Sequence, residues 1–224
     1  MTARKISLVD GEYYHVYNRG ADKRDIFSDD EVLDRFMQSV AEFNGPDPIG
    51  SIYEHSYDKN SLTTGSQTNK SLVSVVCFCL NPNHFHFILR QESERGIEKF
   101  MQRLGGYPKY FNNKYKRSGV LFQGKFKAKH ILDDKYLLYL SAYVNLNNRV
   151  HQIGSSSSLD NQSSNLIRSS WNEFVDQGST NFCDKDIILG QFPNKDAYKK
   201  FALELLPTMV EAKKMSRELE DASD

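Results

Sequence analysis

Hydrophobic and polar positions first alternate with a period of two. Glu12-Tyr-Tyr-His-Val-Tyr-Asn-Arg-Gly20 is rich in aromatic and β-branched residues and stops at a glycine, which predicts a strand. Ser28, with Glu31 three residues on, has the form of a capping box. Val32, Leu33, Phe36, Met37, Val40 and Phe43 then recur at helical spacing until Asn44-Gly45-Pro46. Leu72-Val-Ser-Val-Val-Cys-Phe-Cys-Leu80 and His84-Phe-His-Phe-Ile-Leu-Arg90 are apolar runs joined by Asn81-Pro82-Asn83, a hairpin pattern. Ile97, Phe100, Met101 and Leu104 predict a second helix, bent or interrupted at Gly105, Gly106 and Pro108 before Tyr110, Phe111 and Tyr115. Val120 to Ile131 alternates as a half-buried strand, and a third helix runs from Asp133-Asp134 through Tyr143 to about Asn148.

The order strand, helix, strand, strand, helix, strand, helix predicts an α+β fold. The economical form is a ferredoxin-like split βαβ antiparallel sheet with helices on one face. Residues 45–70 are rich in Gly, Ser, Thr, Asn and Asp and read as a surface insertion. The expected organisation is a core over 1–152, a Ser/Asn-rich linker or loop over 153–170, and a small helical C-terminal extension over 171–224. Within the extension a helix starts near Asn194, and Pro207 is expected to break it.

With 224 residues and 39% apolar positions, the chain can fill a sizeable core, which excludes disorder throughout. No apolar stretch approaches a membrane span, and Met1-Thr2-Ala3-Arg4-Lys5 leads into no signal core, so no membrane association and an unprocessed cytoplasmic protein are expected. Three cysteines, Cys77, Cys79 and Cys183, support neither a disulfide framework nor a four-ligand zinc site. Lys plus Arg equals Asp plus Glu at 29 each, yet the charges are not evenly spread. Between Arg95 and Lys129 ten basic residues face one acid, Glu98. Such a block is either a solvated face or a polyanion-binding surface.

Strand alternation sends His84 and His86 out of one face, roughly 7 Å apart at their roots, close enough to converge on one metal ion or to pack as a hydrogen-bonded pair. Tyr143 and Asn147, four residues apart, share a helical face. An amide oxygen is an acceptable ligand for Mg²⁺ or Mn²⁺, and a phenol can attack phosphorus, although tyrosines at helical spacing also serve as core.

Four motifs in order change the balance: Pro82-Asn83-His84-Phe85-His86, Tyr107-Pro-Lys-Tyr-Phe-Asn112, Gly119-Val-Leu-Phe-Gln-Gly-Lys-Phe-Lys127 and Tyr143-Val-Asn-Leu-Asn147. With Tyr14-His-Val-Tyr-Asn-Arg-Gly20 before them, they make the chain resemble the single-tyrosine His-hydrophobic-His (HUH) transposases, in particular the REP-associated tyrosine transposases related to insertion-sequence enzymes. The resemblance covers about residues 10–152 and extends weakly to Ser169-Ser-Trp171 and Asp186-Ile-Ile-Leu189.

It implies a transposase-like catalytic domain over 1–152 that cuts and rejoins single-stranded DNA at hairpin sites, with Tyr143 as nucleophile, Tyr139 as the fallback, and a 5′-phosphotyrosine intermediate. It implies a divalent cation, Mg²⁺ or Mn²⁺, on His84, His86 and Asn147, the last standing where the insertion-sequence enzymes carry Gln. Under this reading Arg103, Lys109, Lys114, Lys116, Arg117, Lys125, Lys127 and Lys129 contact DNA phosphates, and the protein is a nucleoid-associated monomer or homodimer. The competing readings are a silent DNA-hairpin-binding protein and, with less in its favour, an RNA-binding module of the same topology.

Overall fold

In the computed structural model, which describes residues 8–50, 71–151, 166–176 and 181–221 (side chains as far as 216), five strands form one antiparallel sheet. They are β1 (Tyr13–Arg19), β2 (Val73–Asn81), β3 (His84–Gln91), β4 (Lys127–His130) and β5 (Arg168–Ser169), in the spatial order β4-β1-β3-β2-β5. Helix α1 (Asp30–Glu42) connects β1 to β2. Helices α2 (Gly96–Leu104) and α3 (Tyr107–Lys114) connect β3 to β4. The first four strands thus have the predicted split βαβ arrangement, and β5 adds an edge beside β2. Most of the predicted insertion, at 51–70, and most of the predicted linker, at 152–165, lie outside the described residues.

The helices cover both faces of the sheet, where one covered face was expected. Tyr14, Val16, Phe85, Phe87 and Leu89 pack against α1, α2 and α3 in one core, in which Phe36 meets Phe27 and Tyr107 with ring centroids 5.0 Å apart each. The other face holds Cys77, Cys79 and Ile88. It is covered by α4 (Asp134–Asn145), α5 (Asn147–Val150), α6 (Trp171–Val175), α7 (Asp186–Leu189) and the long α8 (Lys195–Asp221). The physical reason is the apolar character of β2 and β3 on both sides, which one layer of helices cannot bury. Residues of the predicted extension supply much of this second core through Trp171, Phe174, Ile188 and Tyr198.

A β-bulge between Val75 and Cys77 sets the phase of β2. Val73 and Val75 face the first core, whereas Val76, Cys77 and Cys79 face the second. Asn81 therefore ends β2 directly opposite His84. The turn at Pro82-Asn83 is pinned from outside, because the Pro82 carbonyl accepts from the backbone N–H groups of Ile26 and Phe27 at 2.7 and 2.9 Å.

Several local expectations shift. The cap of α1 is Asp29, not Ser28, and accepts from the Val32 N–H at 2.9 Å; Glu31 pairs with Lys114 instead of closing a box. Strand β4 is shorter than 120–131, because Gly119 and Gly124 at positive φ loop the chain over the end of β1. Helix α4, capped by Asp133, stops at Asn145, and Asn147 opens a separate turn. Helix α8 runs through Pro207, since Ala202 and Met209, one on each side of it, are both buried against the second core. Among the described residues no helix is long and apolar enough to cross a membrane.

Candidate active site

Strand pairing brings His15, Tyr17 and Arg19 of β1 to the same sheet face as His84 and His86. Tyr17 is registered with His86, Arg19 with His84, and Lys127 and Lys129 of β4 with Tyr17 and His15. Gly20 is needed where β1 ends, because a Cβ there would meet the Arg24 carbonyl oxygen at 2.0 Å. Helix α4 crosses this face and presents Tyr136, Tyr139 and Tyr143 to one cleft of about 610 Å³. Arg19, Lys127, Lys129 and Lys213 also line it, and among the described residues no carboxylate does.

The histidines are fixed by their neighbours. Asn83 Nδ2 donates to the Lys23 carbonyl at 3.1 Å, so Asn83 Oδ1 faces His84 Nδ1 at 2.6 Å and must accept its proton. His84 Nε2 then carries a lone pair. It lies 2.9 Å from Asn147 Oδ1, and the Asn81 side-chain amide approaches both, donating to Asn147 Oδ1 at 2.7 Å and standing 3.0 Å from His84 Nε2. His86 turns Nδ1 to His15 Nε2 at 2.8 Å, which leaves its own Nε2 for a ligand. The rings of His84 and His86 are perpendicular with centroids 5.2 Å apart.

Burial holds these imidazoles neutral. The pKa of His84 is pulled down to about 4 by desolvation, with the Asn147 side chain opposing, and His15 is likewise lowered to about 4, with Lys129 adding to the effect. His86 lies well below its ordinary value, through desolvation first and then the charges of His15 and His84. The Tyr143 phenol, half-buried with its ring 5.9 Å from that of His86, is raised by burial, and the Asn147 side chain acts in the opposite direction. Tyr139 also lines the cleft but is farther out, at 37% exposure.

The donor set suits a hard or borderline divalent cation: two neutral imidazole nitrogens and an amide oxygen, with lone pairs of His84 and Asn147 facing each other. Asn147 is completely buried, and among the described residues its Nδ2 has no hydrogen-bond partner, an arrangement that costs energy and leaves Oδ1 on the His84 side. The Asn81 amide now bridges the two acceptors that a cation would take. Among the described residues no cluster of three His, Cys, Asp or Glu could hold a metal ion.

The cations of the sequence block do not gather here as a group. Lys127 and Lys129 line the cleft, with Lys127 Nζ 5.9 Å from the Tyr17 ring centre, and Lys125 is exposed just before β4. Those on α2, α3 and the loop after them belong to the opposite layer, because Ile97, Phe100, Leu104, Tyr107 and Phe111 anchor these helices in the first core. Arg103 donates to the Phe43 and Pro46 carbonyls at 3.0 and 2.9 Å. Lys114 is paired with Asp29 and Glu31, and Arg117 donates to Asn112 Oδ1 and covers the Phe111 ring. Lys109 and Lys116 are exposed.

The sequence reading missed His15, Tyr17, Arg19, Asn81, His151 and Lys213. The first three were available from the period of two in β1. His151, its ring 4.9 Å from that of His84, and Lys213 come from elements whose placement no local pattern discloses.

No protein-family profile and no curated protein matches this sequence. Among solved structures, a REP-associated tyrosine transposase bound to a REP hairpin is similar with a TM-score of 0.48 and 12% identity, over 81% of this chain and 90% of that one.

Proposed function

We propose that this protein is a metal-dependent tyrosine transesterase that cleaves and rejoins single-stranded DNA at hairpin sites, in the manner of the transposases its motifs resemble. One observation carries the reading: Tyr143, His84 and His86 line one cationic cleft, Asn147 is buried against His84 beside it, and among the described residues no carboxylate lines it. A wall of four tyrosines and four cations suits a strand of unpaired nucleotides, whose bases stack and whose phosphates need neutralising.

His84, His86 and Asn147 would hold Mg²⁺ or Mn²⁺, which supplies Lewis-acid polarisation of a non-bridging phosphate oxygen. The Tyr143 oxygen forms the new bond to phosphorus, the bond from phosphorus to the 3′-oxygen breaks, and the chain is left with a 5′-phosphotyrosine and a free 3′-hydroxyl. The phenolic proton passes to a water in the cleft as the bond forms, and the departing 3′-oxygen takes a proton from water, so that protons balance overall. A phenol is protonated at neutral pH and burial raises the Tyr143 pKa further, so the opposing effect of the Asn147 side chain beside it is part of its activation. Arg19, Lys127 and Lys129 bind the flanking phosphates, and Tyr136 and Tyr139 offer faces to unpaired bases. The ring contact between Tyr143 and His86 within one chain supports use of each chain's own tyrosine, in a monomer or a homodimer.

The test is incubation with Mg²⁺ or Mn²⁺ and DNA hairpins that carry single-stranded flanks, followed by a denaturing gel. A covalent protein–DNA adduct is expected, lost in Tyr143→Phe with binding retained. Loss in Tyr139→Phe alone would move the nucleophile by one turn. Binding without any adduct from the unmodified chain would leave a silent DNA-binding protein, and preference for the matched RNA hairpin would overturn the substrate.

A further inference from the structure

Helix α8 buries Tyr198, Ala202 and Met209 along one stripe, the spacing of a helix face that packs on a core. Lys213 continues that stripe one turn past Met209, about 6 Å along the axis, where the second core has ended and the cleft begins. Its side chain is half-buried and lines the cleft together with His84, His86 and Tyr143. Among the described residues no carboxylate is part of that lining and no ion pair to Lys213 forms. Its charge is felt at both His84 and His86. A lysine aimed from a core-facing stripe into a cleft without an acid has kept its charge for a ligand, since holding a cation half-buried with no counter-charge is unfavourable.

We propose that Lys213 contacts a backbone phosphate of the bound single strand at the reacting position, so that α8 closes the side of the cleft opposite Lys127 and Lys129. This inference rests on the proposed transesterase reading and adds to it a cation from outside the motifs. A lysine here acts as a point charge that follows the phosphate as it moves, with no demand for a planar fork.

The test uses full-length protein carrying Tyr143→Phe, so that binding alone is read, and a labelled single-stranded oligothymidine titrated by fluorescence anisotropy over a range of salt. Adding Lys213→Ala should weaken binding and lower the slope of log K against log salt by about 0.7, the value for one phosphate contact on a single strand. Lys213→Arg should restore most of both. Lys200→Ala, on an exposed part of the same helix and paired with Glu204, should change neither. In the chain with Tyr143 intact, Lys213→Ala should also slow adduct formation at saturating DNA. If the slopes of Lys213→Ala and Lys200→Ala coincide while the wild-type chain still forms its adduct, this inference is overturned and the proposed function stands. If the wild-type chain forms no adduct, the proposed function fails on its own account, and an unchanged slope would then remove Lys213 as a phosphate contact too.

Discussion

Asn147 Oδ1 lies 2.9 Å from His84 Nε2, although the one proton that neutral His84 owns is committed to Asn83 on the far side of the ring. Two lone pairs at that distance repel unless a donor or a cation serves both. In this structure the donor is the Asn81 amide, the last residue of β2. The site is therefore closed by a neutral group that competes with any ion for the same two atoms.

Removing that competitor should tighten metal binding. Asn81→Leu is expected to raise Mn²⁺ affinity roughly tenfold, corresponding to one or two hydrogen bonds of about 1 kcal/mol each that no longer have to be broken. Asn147→Ala should lower it by at least as much. Electron paramagnetic resonance of free Mn²⁺ measures both, and equal affinities in the three proteins would remove Asn147 from the ligand set.

Stability should fall on mild acidification. In the unfolded chain His15 and His84 take up protons near pH 6.5, whereas in the folded protein burial delays this to about 4. The unfolded state thus binds more protons between those values, so stability is complete above about pH 6.5 and declines as pH falls toward 4, by up to roughly 1.4 kcal/mol per pH unit for each group. Urea midpoints that drop between about pH 7 and pH 5 are expected, with a shallower fall in His15→Gln; a midpoint constant over that range would contradict the burial argument.

Tyr198 ties the long C-terminal helix to α4. Its hydroxyl accepts from Asn145 Nδ2 at 2.9 Å and lies 3.2 Å from Ser141 Oγ, whose own proton goes to the Leu138 carbonyl. Asn145 Oδ1 in turn accepts from Ser170 Oγ at 2.6 Å. Tyr198→Phe strands the buried Asn145 Nδ2 and should cost about 1–3 kcal/mol, seen as a lower thermal midpoint. Because Tyr143 stands on the same helix, adduct yield should fall in step near the melting range.

Placement separates the cations. Lys129→Ala should weaken single-stranded DNA binding several-fold at fixed salt, because Lys129 lines the cleft. Lys114→Ala, whose ammonium is held by Asp29 and Glu31 on the other layer, should leave binding alone and change stability little, since exposed ion pairs are screened by water. Equal loss of binding in both would mean that DNA wraps the opposite layer.

What the chain disclosed in advance follows the range of each signal. Strand alternation is local and dependable, so His84 and His86 were assigned to one face, and the split βαβ order came from the succession of periods. The spacing of Tyr143 and Asn147 gave them one helical face, and only the resemblance set that face beside the histidines, where both stand even though the helix breaks between them. The basic block misled because a one-dimensional count cannot tell which face of the sheet a helix will cover. Apolar anchors such as Phe100 and Phe111 decide that, and they carried Arg103, Lys114 and Arg117 to the far layer. The second helical layer, and with it Lys213, depended on contacts between residues more than fifty positions apart, such as Asn145 with Tyr198.

The single extra residue at the β2 bulge has a wider effect than its size. A segment with strictly regular pleating that began with Val73 and Val75 in one interior would have pointed Asn81 into that same interior, away from His84. By inserting one step, the strand hands its first half to one oily compartment and its tail to the reactive side. Deleting the extra residue would shorten the count from Val73 to Asn81 by one and give an unbroken ladder with the amide still beside the imidazoles, so what the bulge secures is that two successive side chains, Val76 and Cys77, both enter the second compartment while the far end of the strand keeps its aim.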